Sequence, residues 1–180
     1  MTERMIMAGW GGQGLMTLGK LVANIMMDQG KHVTYFPSYG AEVRGGTAHC
    51  QVVFSDAPIY SPIVEHAEAL LIMNQPSYGR FHGRIVEGGV VVVNSSMVTD
   101  EQPHGHTTLV RVPATDLANE LGNIRVGNMV MLGAYRAVRD VLPEEPIRAY
   151  LASVFTGARA EMVELNIEAI RRGAREARIV

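Results

Sequence analysis

The sequence predicts an α/β protein: a single doubly wound, mostly parallel sheet with helices on both faces and a helical C-terminal third. Three observations point there. A short apolar strand runs straight into the glycine tract Gly9-Trp10-Gly11-Gly12-Gln13-Gly14 and from there into a helical pattern. The unalternating apolar runs at 69–73 and 90–93 suit strands covered on both faces. The last third repeats its apolar residues at helical rather than strand spacing.

The elements follow in order. Residues 6–8 read as a strand, and from Gln13 the first helix places Leu15, Leu18, Val22, Ile25 and Met26 on one face. Gly30 ends it and feeds a second strand at 32–36. Along 47–54 the residues alternate, with Ala48, Cys50, Val52 and Phe54 on one side and Thr47, His49, Gln51 and Val53 on the other, which predicts one well-buried face. Ser55-Asp56-Ala57-Pro58 is a turn, and 59–64 is an extended segment broken by Pro62. After the strand at 69–73, Asn74-Gln75-Pro76-Ser77 starts a short helix with proline in its first turn. Gly88-Gly89 lead into the strand at 90–93; a polar loop at 94–105 precedes another at 107–112. Four helices are expected near 115–121, 127–141, 144–155 and 158–178, the last with Val163, Ile167, Ile170 and Ala174 as its apolar stripe. With no repeat, linker or low-complexity tract, residues 1–180 are expected to form one domain.

Composition narrows the function. The chain is 47% hydrophobic and 19% charged with a net charge of -2, an ordinary soluble composition with no basic block for nucleic acid. No apolar run approaches ~20 residues, so no membrane span is expected. The N-terminus has no signal-peptide pattern, and the single cysteine fits a reducing cytoplasm. One thiol cannot hold an iron–sulfur cluster, which takes about four. Cys50, on the apolar side of its strand, reads as a buried structural thiol. His104-Gly105-His106 lacks a third ligand and reads as solvated, so no metal site is expected.

The glycine tract satisfies G-x-G-x-x-G between a strand and a helix, the setting of a Rossmann-like dinucleotide site. Glycines there permit a tight turn and a close approach of backbone N–H groups to an anion. In that fold a carboxylate at the tip of the second strand grips the ribose, yet here the strand runs out into Pro37-Ser38. Arg44 can in principle receive a 2′-phosphate, so a stand-alone NAD(P)-binding oxidoreductase or nucleotide-binding module remains the alternative. A second loop, Ser38-Tyr39-Gly40-Ala41-Glu42-Val43-Arg44-Gly45-Gly46, packs an aromatic, an acid, a base and glycines together. Glu42 and Arg44, two apart on extended chain, point the same way and can pair or clamp a ligand. Trp10, inside a glycine loop, is expected to be partly exposed unless a partner covers it.

Together, GWGGQG, PSYGAEVRGGTA, SDAPIYSPIV, ELGNIRVGNMVMLGAY and LNIEAIRRG resemble the gamma subunit of 2-oxoacid:ferredoxin oxidoreductases over roughly residues 4–173. The wording is most similar to the 2-oxoglutarate branch, with the branched-chain 2-oxoacid enzymes next. Ala41 and Glu68 depart from the proline and aspartate common in the family. The resemblance implies a subunit, inactive alone, of a complex that decarboxylates a 2-oxoacid oxidatively, forms an acyl-CoA and reduces ferredoxin or a similar acceptor. Thiamine diphosphate, Mg2+ and [4Fe-4S] clusters would belong to alpha, beta and ferredoxin-like delta partners, with CoA as co-substrate. This chain would pack on the thiamine-binding subunits and shape the CoA side of the site; in isolation, a homodimer through that surface is the form to expect. The residues so implicated are Gly11, Gly12, Gln13 and Gly14 in the first loop, and Ser38, Tyr39, Gly40, Glu42, Arg44, Gly45, Gly46 and Thr47 in the second. Arg44 would meet phosphate or a partner carboxylate, with Glu42 orienting it. Asn128 would cap its own helix or, alternatively, touch the neighbouring loop. No residue of this chain is expected to be catalytic.

Overall fold

The structure, a computed structural model, describes residues 1–39, 47–102 and 105–180. Its strands are β1 (Thr2–Trp10), β2 (His32–Tyr39), β3 (Thr47–Ser55), β4 (Ala67–Ile72), β5 (Ile85–Asn94), β6 (Thr108–Val112) and β7 (Arg178–Ile179). Its helices are α1 (Leu15–Asp28), α2 (Gln75–Phe81), α3 (Ala114–Glu120), α4 (Gly127–Arg136), α5 (Glu144–Val154) and α6 (Glu161–Glu176). The strands form one seven-stranded sheet in the order β2-β3-β1-β4-β5-β6-β7. β1, β4, β5 and β6 are parallel neighbours, while β3 runs antiparallel to both β1 and β2, and β7 antiparallel to β6.

Period-two alternation builds a core on each face. Met5, Met7, Leu71, Val92 and Val110 point to the side covered by α1, α3, α4, α5 and α6. Ile6, Ala8, Leu70, Ile72 and Val91 point to the other side, under Tyr78 and Phe81 of α2 and the loop residues Val64 and Val98. β3 is therefore buried along both faces, which corrects the one-faced expectation. His49 packs against Phe81 with ring centroids 4.9 Å apart, and Gln51 Oε1 accepts the Val64 N–H at 2.5 Å.

Local signals end the helices as the chain chemistry requires. At the end of α1, Gly30 takes φ 77°, its N–H donates to Met27 O at 2.9 Å, and the Lys31 N–H donates to Met26 O at 3.0 Å. These are the two bonds of a Schellman motif. Asn74 caps α2, its side chain accepting the Ser77 N–H at 2.9 Å. Two expectations are corrected here. α4 stops at Arg136 rather than near 141; past its end the Arg136 guanidinium donates forward to Leu142 O and Arg139 reaches Gly88 O, side-chain bonds that hold the non-helical segment. α6 stops at Glu176, and Arg178–Ile179 add to the sheet instead, since the open edge of β6 offers ladder bonds the exposed helix end lacks.

Candidate functional site

β1 delivers the glycine tract to the C-terminal edge of the parallel strands, beside the point where connections leave in opposite directions, α1 to one face and α2 to the other. Open α/β sheets bind ligands at such an edge. Gly12 and Gly14 take φ 95° and 75°, a region that disfavours residues with a Cβ. Gln13, implicated by the resemblance as part of the first loop, locks the turn. Its Oε1 accepts the Trp10 N–H at 2.7 Å and fills the space over Gly9, where a Cβ would come within 2.4 Å of it. α1 then starts at Gly14 with no side-chain cap and no acid in its first turn, leaving N–H groups and a positive dipole end for an anion.

Asn128 is 4% exposed and does not cap its own helix; α4 begins after Val126. Its Nδ2 donates to Gly14 O at 2.9 Å, tying α4 to the glycine loop, and the favoured capping reading is thereby corrected. The Asn128 Oδ1 is buried without a donor among the described residues. Thr47 pairs with Trp10 across β3 and β1, and Ser38 lies one strand further out, opposite His49. The structure thus gathers Gly11, Gly12, Gln13, Gly14, Thr47 and Asn128 at one edge. Gly40, Glu42, Arg44, Gly45 and Gly46 lie outside the described residues, as does His104; for Tyr39 only the backbone is described, opposite Ala48.

Beside the tract opens a groove of about 800 Å³ between α1, the 3-10 turn Ile124–Val126 ahead of α4, α5 and α6. Its walls include Leu15, Met16, Val126, Met129, Leu151 and Met162, and its polar groups include Asn123, Arg125, Asn128, Arg159 and Asn166. Three of the quoted stretches, GWGGQG, ELGNIRVGNMVMLGAY and LNIEAIRRG, converge on it, a convergence no spacing in the sequence reveals. Sequence reasoning also missed Arg80, whose Nη1 lies 3.5 Å from Thr47 Oγ1 and whose guanidinium covers Phe81 at 5.2 Å. Burial, helped by Arg80 and Arg84, lowers the pKa of His49, so its ring stays neutral at pH 7. Burial pushes the Cys50 thiol up to about 12, and its Sγ lies 3.3 Å from Leu15 O, the environment of an inert structural cysteine.

The sheet order bears on the dinucleotide alternative. With β3 between them, β2 lies two strand spacings, roughly 9.6 Å, from β1. An acid at the β2 tip would not stand beside the glycine loop, as a ribose-gripping carboxylate must.

Comparison with known proteins agrees with this geometry. The family described as pyruvate ferredoxin/flavodoxin oxidoreductase matches residues 4–176. The ketoisovalerate oxidoreductase subunit VorA of Methanothermobacter thermautotrophicus is 34% identical over 176 residues, covering 97% of this chain but only 36% of the relative's length. The gamma subunit of a keto/oxoacid ferredoxin oxidoreductase from Geobacter sulfurreducens superposes with a TM-score of 0.80 at 30% identity, covering 97% of both chains. The 2-oxoglutarate:ferredoxin oxidoreductase of Magnetococcus marinus, solved with 2-oxoglutarate, coenzyme A and succinyl-CoA bound, gives a TM-score of 0.85 at 26% identity, covering 97% of this chain and 31% of that one. No helix among the described residues is long and apolar enough to cross a membrane. The chain belongs to the pyruvate ferredoxin/flavodoxin oxidoreductase family, as a unit of the gamma type.

Proposed function

We propose that residues 1–180 form one gamma-type domain serving as a subunit of a 2-oxoacid:ferredoxin oxidoreductase, with 2-oxoglutarate as substrate, CoA as acyl acceptor and ferredoxin as electron acceptor. The observation that carries this reading is the uncapped start of α1 at Gly14, set in a locked glycine turn at the ligand edge of a family fold. An uncapped helix N-terminus suits the diphosphate of CoA, with Arg44 as a further cation. Asn128 Oδ1, lacking a donor, suits an amide or hydroxyl of the bound group. Gly11, Gly12, Gly14, Ser38, Tyr39, Gly40, Glu42, Gly45, Gly46 and Thr47 shape the approach, and Gln13 holds it rigid.

The chain's own contribution is binding and orientation. Thiamine diphosphate with Mg2+ and the [4Fe-4S] clusters supply decarboxylation and electron transfer, and they sit on alpha, beta and delta partners. The one cysteine of the sequence, buried with a raised pKa, fits that division.

Co-purification on a tagged copy of this chain tests the reading. Partners carrying thiamine diphosphate and clusters are expected, with CoA-dependent ferredoxin reduction fastest on 2-oxoglutarate; a faster branched-chain 2-oxoacid reassigns the substrate alone. A lone chain that binds and turns over NAD(P) refutes it.

A further inference from the structure

On the face of the sheet away from α1, the stretch 75–84 (α2 and the 3-10 turn His82–Arg84 behind it) carries two arginines and no acid. Both arginines are exposed, and both guanidiniums lie against one buried ring, Arg80 at 5.2 Å and Arg84 at 5.4 Å from the Phe81 centroid. Neither meets a carboxylate among the described residues, whereas Arg4, Arg111, Arg148, Arg171, Arg172 and Arg175 each hold one. His49, 7% exposed, packs on the same ring, and burial together with the two guanidiniums keeps it neutral, so it supplies no counter-charge. Two like charges gathered on one ring repel, and an anion within reach of both removes that cost.

The pair stands at the ligand edge. Arg80 Nη1 lies 3.5 Å from Thr47 Oγ1, and Thr47 pairs with Trp10, the last residue of β1 before the glycine turn. Neighbouring strands stand roughly 4.8 Å apart, so Thr47 and the glycine turn are adjacent at this edge, with α1 on one face of the sheet and α2 on the other.

We infer that Arg80, Arg84 and the Thr47 hydroxyl form a second anion site that takes a phosphate monoester, the ribose 3′-phosphate of CoA. The inference rests on the CoA reading above and deepens it by assigning the group that distinguishes CoA from 3′-dephospho-CoA. A monoester dianion presents three acceptor oxygens, which two guanidiniums and a hydroxyl can serve; a carboxylate brings two oxygens and a single charge. In CoA the diphosphate and the monoester sit on one ribose. A ligand with its diphosphate at the start of α1 therefore carries its second phosphate across the sheet edge by the width of one sugar.

The test uses the co-purified complex and compares kcat/KM for CoA with that for 3′-dephospho-CoA. The wild type is expected to prefer CoA at least ~10-fold, the scale of a charge-assisted hydrogen bond. Arg80→Ala and Arg84→Ala are each expected to bring that preference toward parity, by raising KM for CoA more than they lower kcat, and Arg84→Lys to keep part of it. Arg178→Ala, on β7 at the far end of the sheet, removes an equal charge and is expected to keep the wild-type preference. Size-exclusion chromatography reports the assembly of each variant. A wild-type preference near 1, or one that either alanine variant retains in full, overturns the inference and leaves the CoA reading intact. A preference near 1 with radiolabelled inorganic phosphate held by the wild type and lost from the variants makes this a site for free phosphate, which overturns the assignment to CoA. Alanine variants that fail to assemble make the arginines contacts for a partner carboxylate and overturn it too. A complex with no CoA-dependent turnover overturns both readings.

Discussion

Where α4 crosses α6, two glycines let the backbones touch. A Cβ on Gly173 would stand 2.0 Å from Val130 O, and one on Gly133 would stand 1.9 Å from Ile170 O. Carbon–oxygen contacts settle near ~3.3 Å, so Gly173→Ala requires the helices to part by about 1.3 Å. The obstacle is backbone, which cannot rotate away, so the overpacking cost sits near the upper end of its range, ~3 kcal/mol. Alanine recovers ~1 kcal/mol of helix propensity, leaving a net loss of ~2 kcal/mol. For a chain of this size that lowers the melting temperature by roughly 4–8 °C, read by circular dichroism on the isolated chain. Gly79 in α2 is the control, since no atom lies within 4 Å of its Cβ position. Gly79→Ala is expected to gain ~0.5–1 kcal/mol and melt slightly higher. If Gly173→Ala melts at or above the wild-type temperature, the close-crossing account is wrong. The same crossing positions α4 so that Asn128 reaches Gly14; in the assembled enzyme Gly173→Ala should also raise KM for CoA more than it lowers kcat.

Gly14→Ala forces a side chain into φ 75° and places its Cβ 2.5 Å from Asn128 Nδ2. It is expected to cost ~1–2 kcal/mol of stability and to raise KM for CoA about 10-fold; an unchanged KM would detach this loop from CoA. Glu3 is 4% exposed and accepts the Tyr135 hydroxyl at 2.8 Å, and desolvation raises its pKa above the ordinary 4.5 despite Tyr135 and Arg139. The folded state therefore holds the Glu3 proton more tightly than the unfolded chain, and stability falls as pH rises from about 4.5 through the raised value. Glu3→Gln should remove that decline from urea melts, and a variant with the wild-type slope would refute the assignment. Cys50, with its thiol near pKa about 12, should react with a disulfide reagent at pH 7.5 only at the rate of unfolding, and immediate labelling in native buffer would contradict its placement.

What the sequence discloses and what it withholds follow from how local each interaction is. Asn74 with Pro76, Gly30 after α1, and the stripe of Val163, Ile167 and Ile170 act within a few residues of themselves, and each marks its element, although α6 is shorter at both ends than the 158–178 expected. The insertion of β3 between β1 and β2 is a pairing between residues about 45 apart, and no local pattern encodes which neighbour a strand chooses. The polarity of His49 and Gln51 predicts a one-faced β3; only their partners Phe81 and Val64 make that face a buried one. The glycine half of the site was legible because a positive φ leaves glycine as its trace. The groove was not, because its walls come from helices separated by more than a hundred residues. Asn128 shows the limit most clearly: its residue type suggests a cap, and its partner lies 114 positions away.

Both ends of the chain leave the sheet at the edge opposite the glycine loop, with β4, β5 and β6 between them. Met1 precedes β1 at the edge opposite the glycine loop, its ammonium on Asp56 at 2.5 Å, and β7 turns the C-terminus downward so that the Val180 N–H donates to Leu109 O at 3.0 Å. A polypeptide tethered at either end is therefore anchored far from the ligand edge and need not cross it. Covalent joining raises the effective concentration of a neighbour without any new contact. A unit with this layout can work as a separate chain or as one segment of a longer polypeptide, and both arrangements occur among the relatives it resembles.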